Sequence, residues 1–397
     1  MGRRTGADEL ESRVRELRVA TGLSQGELAD RAGITRQAVS AIESGSYVPN
    51  TVVALKLSQA LGCPVERLFR LGDISQKIRA SAASTIGEWG RARPTADGAQ
   101  GSTDGVHFPE QFRVHLARVG DQLVASEMSG SERFAPADGV GRLIPDVPEQ
   151  LDVDLFVEPE VPDRTVLVLG CDPSLRLLSE HVHRQTKETR VLWLHAGSVA
   201  ALRALRAGEA HIAGTHLWDP ATGESNLPVI REVLAGFPVV VVALSQWQQG
   251  LMIQPGNPKG IRDVDDLARP DVSIVNREAG SGSRVLLDHH LVSAGIQAEW
   301  VTGYERLRRS HADIAAAVRD GLADAGPGIL ASSRAASLDF IPLQEERYDL
   351  VVPAAFLEES SVQAVLDTLT GRGYRREIET LGGYDASITG TTIAELA

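Results

Sequence analysis

The residues with chemistry to offer gather at a few turns. Three of them, Asp172-Pro173-Ser174, Gly197-Ser198 and Gly280-Ser281-Gly282-Ser283, place hydroxyls where a strand-like run gives way to a helical one. The positive end of a helix dipole and its unpaired N–H groups cradle anions, and glycine lets the backbone approach a ligand closely. Serine is also an ordinary helix cap, so one such turn carries little. Three around one cleft point to a site built from Asp172, Ser174, Ser198, Ser281, Gly282 and Ser283. His216, in THLWDP, could donate to an anion or be a structural histidine. Arg277 and Arg284 are the cationic candidates; a guanidinium suits an oxyanion, whereas a helix-borne Arg284 is equally a solvated residue. Asp172 would repel an anion unless it acts as an acid or orients a neighbour, and an organic ligand with an amine or hydroxyl turns that objection into support. His289 and His290 adjoin Asp288 with poor metal spacing, and no metal site is expected.

A second group lies near the N-terminus, in SQGELADRAGITRQAVSAIESGSYVP, residues 24–49. Ser24 with Glu27 three residues later forms a capping box, Leu28 and Ala29 give an apolar face, and Gly33 ends a first helix. Thr35 caps a second, in which Val39 and Ile42 point inward and Arg36, Gln37 and Ser40 share one polar face before Gly45. That is a helix-turn-helix with a recognition helix whose Arg and Gln carry the paired groups that read guanine and adenine. The plain alternative is a solvated helical hairpin.

The remaining elements must hold these groups in place. At 397 residues, 43% hydrophobic, the chain suits two or three domains. No apolar run approaches 18 residues and the charged start reads as no leader, so the expectation is a cytoplasmic protein without a membrane partner. Cys63 and Cys171, the two cysteines, exclude a disulfide framework and are expected to be packing residues. Met1–Arg70 holds ten Arg and Lys against eight Asp and Glu, a net of +2, so with a total of −13 the remainder carries −15. An acidic body behind a mildly basic head disfavours non-specific phosphate binding. A first helix is expected over Leu10 to Ala20, a fourth capped by Thr51 and a fifth opened by Pro64, so the head, residues 1–71, is all-α with five helices. Residues 72–105 read as a linker, with a helix within ISQKIRASAASTIGEWG and a flexible stretch over 91–105. Residues 106–162 alternate as half-buried strands and read as a small β-containing connector that spaces or dimerises its neighbours. From 163 to 397, strands and helices alternate, TVLVLG and VLWLHA among the strands, then FPVVVVAL and VSIVNRE, in a two-lobed α/β arrangement with a cleft at the lobe boundary.

Residues LSQGELADRAGITRQAVSAIESGSYVPN resemble the lambda-repressor-like, or xenobiotic-response-element, family of helix-turn-helix domains. The resemblance implies that Gln25 touches phosphate and that Arg36, Gln37 and Ser40, at the helix opened by Thr35, face base edges. The runs GCDPSL, AGTHLWDPATGESNLP, QGLMIQPGNPKGIRDVDDLARPDVSIVNREAGSGSR and ERYDLVVP resemble the periplasmic-binding-protein-like domain related to molybdate-binding proteins, found on DNA-binding heads in bacterial regulators. It implies a type II solute-binding fold closing over a small ligand, oxyanions such as molybdate or tungstate, or a molybdenum-cofactor metabolite, being the leading class. No resident cofactor is expected.

Two function classes compete: a ligand-responsive regulator, expected to be a homodimer on inverted-repeat operator DNA, and an enzyme of anion or cofactor metabolism with an accessory DNA module. No nucleophile–base–orienter set stands out, and GSGS is not a nucleotide phosphate loop, so the regulator is the reading.

Overall fold

The computed structural model describes residues 10–71, 77–83, 111–128, 134–145, 147–219 and 222–397. They divide into two units, Met1–Gln76 and Lys77–Ala397. The expectations for residues 1–9 and for the flexible stretch 91–105 lie outside the described residues.

The first unit runs β1 (Leu10–Ser12), α1 (Val14–Ala20), α2 (Gln25–Ala32), α3 (Arg36–Glu43), α4 (Thr51–Leu61), α5 (Val65–Leu68) and β2 (Phe69–Leu71). The capping box at α2 is complete: Glu27 N donates to Ser24 Oγ, and Ser24 N to Glu27 Oε2. Gly33, at φ 59°, takes the left-handed conformation that ends the helix without a Cβ penalty. Val14, Leu28, Val39, Ile42, Leu57 and Leu68 form one apolar core. Two expectations are corrected. The first helix starts at Val14, because Leu10–Ser12 pairs antiparallel with Phe69–Leu71 and draws both ends of the head together. The cap of α4 is Asn50, whose Oδ1 accepts from Val53 N, and Thr51 is its first helical residue.

The second unit opens with β3 (Lys77–Ala82), β4 (Phe112–Val119), β5 (Gln122–Glu127), β6 (Gly139–Ile144) and β7 (Val147–Leu155), which close a barrel in the order β3-β5-β4-β6-β7. The stretch read as a linker thus contributes a strand where a helix was expected. Its alternation is what a barrel stave needs: Ala80 and Ala82 face inward onto Val114, Leu116, Leu151 and Val153. Nor is the barrel a spacer. Ala117, Val119 and Val124 on its outer face share a core with Leu167, Leu169 and Ala213 of the α/β part. Arg190 doubly binds the buried Asp138 across the same seam (2.5 and 2.7 Å).

The α/β part then runs β8 (Thr165–Gly170), α6 (Ser174–Gln185), β9 (Arg190–His195), α7 (Ser198–Arg206), β10 (Ile212–Thr215), α8 (Leu227–Val233), β11 (Val239–Ile253), β12 (Asn276–Arg277), α9 (Gly282–Ser293), β13 (Leu307–Arg308), α10 (His311–Arg319), β14 (Ala325–Ile329), α11 (Leu330–Ala335), β15 (Asp339–Pro353), α12 (Ser360–Thr370), α13 (Arg372–Thr380), β16 (Tyr384–Asp385) and β17 (Thr392–Leu396). Six strands lie in the order β14-β11-β15-β10-β8-β9, with β16 and β17 also paired to β11. Strands β11 and β15, 15 residues each, pair antiparallel along their whole length. Their Val239–Ala243 and Asp349–Pro353 ends sit in lobe one with β8, β9 and β10; their Gln249–Ile253 and Asp339–Gln344 ends sit in lobe two with β14. The run VSIVNRE supplies only the two-residue β12, paired parallel with β13.

Candidate functional site

In the head, the recognition helix is presented as its sequence dictates. Val39 and Ile42 are buried, while Thr35, Arg36, Gln37 and Ser40 are exposed. Thr35 Oγ1 accepts from Ala38 N, so it starts the helix. Gln25 is tied back: its amide donates to Glu43 Oε2 (2.9 Å), which Arg18 also holds. Against the penalty of burial, Arg18 and Gln25 keep the Glu43 carboxyl below its ordinary range. This bridge from α1 and α2 to the end of α3 fixes the reading helix by charge as well as by packing, and the spacing of Arg18 and Glu43 gave no local signal of it.

The cleft candidates all gather where the lobes meet, but many are spoken for. Ser174 Oγ donates to Asp172 Oδ2 (2.8 Å), and Asp172 Oδ1 accepts from Ser174 N and from Tyr384 OH. Burial pushes the Asp172 carboxyl up despite these donors, and it works as an anchor for α6. Ser198 Oγ accepts from His216 N (3.1 Å), and Ser283 Oγ donates to Gln249 Oε1 (3.0 Å). The three serine hydroxyls expected to converge on a ligand are therefore engaged within the protein. Ser281 caps α9 and its hydroxyl returns to Glu278 O (2.9 Å). Arg284 is corrected from a solvated or ligand-bound residue to a packed one: it pairs with Asp288, donates to Arg277 O and lies 3.8 Å from the Tyr304 ring centroid.

What faces the boundary unspent is a different set. Arg277 is fully buried; Glu278 takes its Nε and Nη2, and Nη1 has no partner among the described residues. His311, at the start of α10, is fully buried, and neither ring nitrogen has a partner among the described residues. Trp247 Nε1, Glu346 Oε1 and His216 Nε2 are likewise buried and unpartnered. A buried polar atom without a partner costs about 1–3 kcal/mol, so such a cluster marks a place prepared for something else.

His216 sits at the centre. Its Nδ1 lies 3.0 Å from Glu346 Oε2 and 3.0 Å from the Gln249 amide, and its ring meets Trp247 edge-on at 4.9 Å. Burial alone lowers the His216 pKa, but the Cys171 sulfur and the Glu346 carboxylate outweigh it and push it up to about 10. Burial, with the charge of Arg277, holds His195 down to about 4 and His311 well below its ordinary value. Lobe two reaches this centre through Gly282: a Cβ there would lie 2.1 Å from His216 O and 2.5 Å from its Nδ1. Only glycine allows α9 to come so close.

Sequence reading placed Asp172, His216, Arg277 and the three turns at this boundary. It did not count Trp247, Gln249 or Glu346 among the site residues; they sit mid-strand on β11 and β15, where alternation says only that they face inward. Cys171, read from the sequence as a packing residue, does sit in the apolar core of lobe one. Cys171, His216 and His311, all buried, also bring one ligand atom each within 4.8 Å of one another.

Residues 179–370 match the model of the PBP superfamily domain, and residues 14–68 match that of a helix-turn-helix. The chain is 37% identical over 230 residues to protein YvgK of Bacillus subtilis (strain 168), covering 58% of this chain and 74% of that one. It is 44% identical over 62 residues to the HTH-type transcriptional regulator YgzD of the same strain, covering 16% of this chain and 94% of that one. Among solved structures, the periplasmic molybdate-binding protein of Azotobacter vinelandii aligns at a TM-score of 0.44 and 16% identity, covering 55% of this chain and 98% of that one. Among the described residues no helix is long and apolar enough to cross a membrane.

Proposed function

The chain belongs to the PBP superfamily and carries a lambda-repressor-like helix-turn-helix head, and from that premise we propose that a small anion enclosed between its lobes sets its affinity for operator DNA. It is a helix-turn-helix regulator fused to a periplasmic-binding-protein-like ligand-binding domain. The observation that carries the ligand class is the fully buried Arg277 with Nη1 unpartnered among the described residues, together with the unpartnered nitrogens of His311 and Trp247, whose rings lie 5.9 Å apart. A buried cation and neutral donors aimed at one boundary favour an oxyanion of the molybdate or tungstate kind. A second reading, an organic ligand bearing an amine or hydroxyl, draws support from the unpartnered acceptor Glu346 Oε1 in the same place. The operator is an inverted repeat read by a homodimer, since two-fold heads require two-fold half-sites.

The test is a thermal-melt screen of the full chain with molybdate, tungstate, sulfate and phosphate, then molybdenum-cofactor precursors and small amines. A ligand at a hundredfold excess over Kd stabilises the folded protein by about 2.7 kcal/mol. The stabilising ligand must also shift operator affinity, and by linkage operator DNA must shift ligand affinity equally. A stabiliser that leaves DNA binding untouched refutes sensing; loss of the effect in Arg277→Gln supports the anion over the amine.

A further inference from the structure

Cys171, His216 and His311 converge from three parts of the chain: the end of β8, the residue after β10 and the first residue of α10. The first two belong to lobe one and the third to lobe two. We infer that they bind a single soft or borderline metal ion, of the Zn(II) or Cu(I) class, which ties the two lobes together. The inference rests on the lobe boundary being the ligand site proposed above.

The donor set selects the metal. One sulfur and two imidazoles suit Zn(II) or Cu(I), whereas Mg(II) and Ca(II) require oxygen shells. Ligand atoms at zinc distances stand roughly 3.3–3.6 Å apart in a tetrahedral site, so donors already within 4.8 Å of one another close on an ion by small side-chain shifts. The nitrogens are also free to do it. Both ring nitrogens of His311 are unpartnered, and at His216 Glu346 and Gln249 occupy Nδ1 while Nε2 is left over. A carboxylate on the far nitrogen of an imidazole is the usual support of a metal-bound histidine: Glu346 holds one proton on Nδ1, and the ion displaces the second proton from Nε2, as metal binding to histidine releases protons. Glu346 is thus a positioning residue.

Three protein donors leave a fourth tetrahedral position. Arg277, whose charge reaches His311, stands at the same boundary, and its unpartnered Nη1 suits an anion that completes the coordination. Because the ion needs ligands from both lobes, it binds the closed arrangement better than any open one and shifts the population toward it.

The experiment uses the full chain stripped with a chelator and titrated with Co(II), a visible stand-in for Zn(II), with Zn(II) displacement and Cu(I) competition as further arms. One equivalent should bind and give a thiolate-to-cobalt charge-transfer band. Cys171→Ser should abolish the band and weaken binding more than about 100-fold, His311→Gln should do nearly as much, and Cys63→Ser should change neither. Glu346→Gln should keep the band and weaken affinity about 10–100-fold. If Cys171→Ser does not fold by circular dichroism, the His311 and Glu346 variants decide. Binding that survives both, or binding without a sulfur band, as from the adjacent His289 and His290, overturns the site. Operator affinity is read separately: one cysteine-dependent equivalent with no change in DNA binding leaves the metal site standing and removes the sensor, while anion-dependent DNA binding in metal-free protein does the reverse.

Discussion

Replacing Gly282 by alanine is the sharpest probe of lobe closure, because its two effects have opposite signs. Gly282 is the first residue of α9 and has no positive φ, so alanine fits the helix and, by restricting the unfolded chain, should stabilise lobe two by about 0.4–1 kcal/mol. Against lobe one it is a wedge. The new Cβ would stand 2.1 Å from His216 O and 2.4 Å from His216 Cε1, with backbone as one of the obstructing partners. To reach van der Waals separation α9 must retreat roughly 1 Å. Overpacking of this kind costs about 1–3 kcal/mol, and here the whole cost falls on the closed state. The expected outcome is a ligand-free protein that melts at or slightly above the wild-type temperature but binds its stabilising anion about 5–150-fold more weakly. Isothermal titration and melting on one sample measure both. Wild-type affinity in Gly282→Ala refutes the reasoning that α9 must seat on His216 for the ligand to be held; a lowered ligand-free melting point refutes the claim that the lobes can part without unfolding.

Arg36→Ala or Gln37→Ala should cost roughly 1–3 kcal/mol on the specific operator and little on random DNA, measured by anisotropy at fixed salt; equal losses on both refute base reading. His211 accepts from Leu167 N through Nδ1, and burial holds its pKa down from 6.5 to about 4, offset in part by a hydrogen bond with the Arg118 backbone. The unfolded chain therefore takes up the proton first, so stability is full above pH 6.5 and falls by roughly 3 kcal/mol as pH drops toward 4. Urea melts across that window should show a flatter profile for His211→Asn, the other buried histidines being common to both proteins. Asp138→Ala should cost about 2–3 kcal/mol in urea melts, because it strands the Leu116 N–H and the partly buried Arg190 on the barrel seam; no loss would make the barrel an independent module.

The head was legible nearly residue by residue because its signals are local: a capping box, a left-handed glycine and an inward Val39 and Ile42 each decide structure within four residues. The ribbon that shortens the first helix was not, since Leu10 meets Leu71 only in space. The barrel failed for the same reason. Lys77–Ala82 alternates only weakly, with two of its inward residues being alanine, and its partners β5 and β7 lie far along the chain. At the cleft, turn chemistry singled out serines that the fold does bring to the lobe boundary. Their hydroxyls also cap and brace, while unpartnered atoms sit on Arg277 and His216, which the sequence singled out, and on Trp247, Glu346 and His311, which it did not; Trp247 meets Glu346 only through the pairing of β11 with β15.

The antiparallel ladder of β11 and β15 also dictates how the lobes can move. Trp247 stands directly opposite Glu346, and register shifts flank this stretch between Ala243 and Ser245 and between Gln249 and Gly250. Sliding one strand by a single residue would turn Trp247 away from the boundary, so translation is forbidden by the alternation itself. What remains for the opening proposed above is bending at the two irregularities, which lie on either side of the Trp247–Glu346 pair. Those residues travel least. Under the proposed function, a ligand held beside Trp247 and Glu346 therefore stays at the pivot at every opening angle, and closure brings Arg277 and His311 down onto it, like a latch on a hinge that is itself the keyhole.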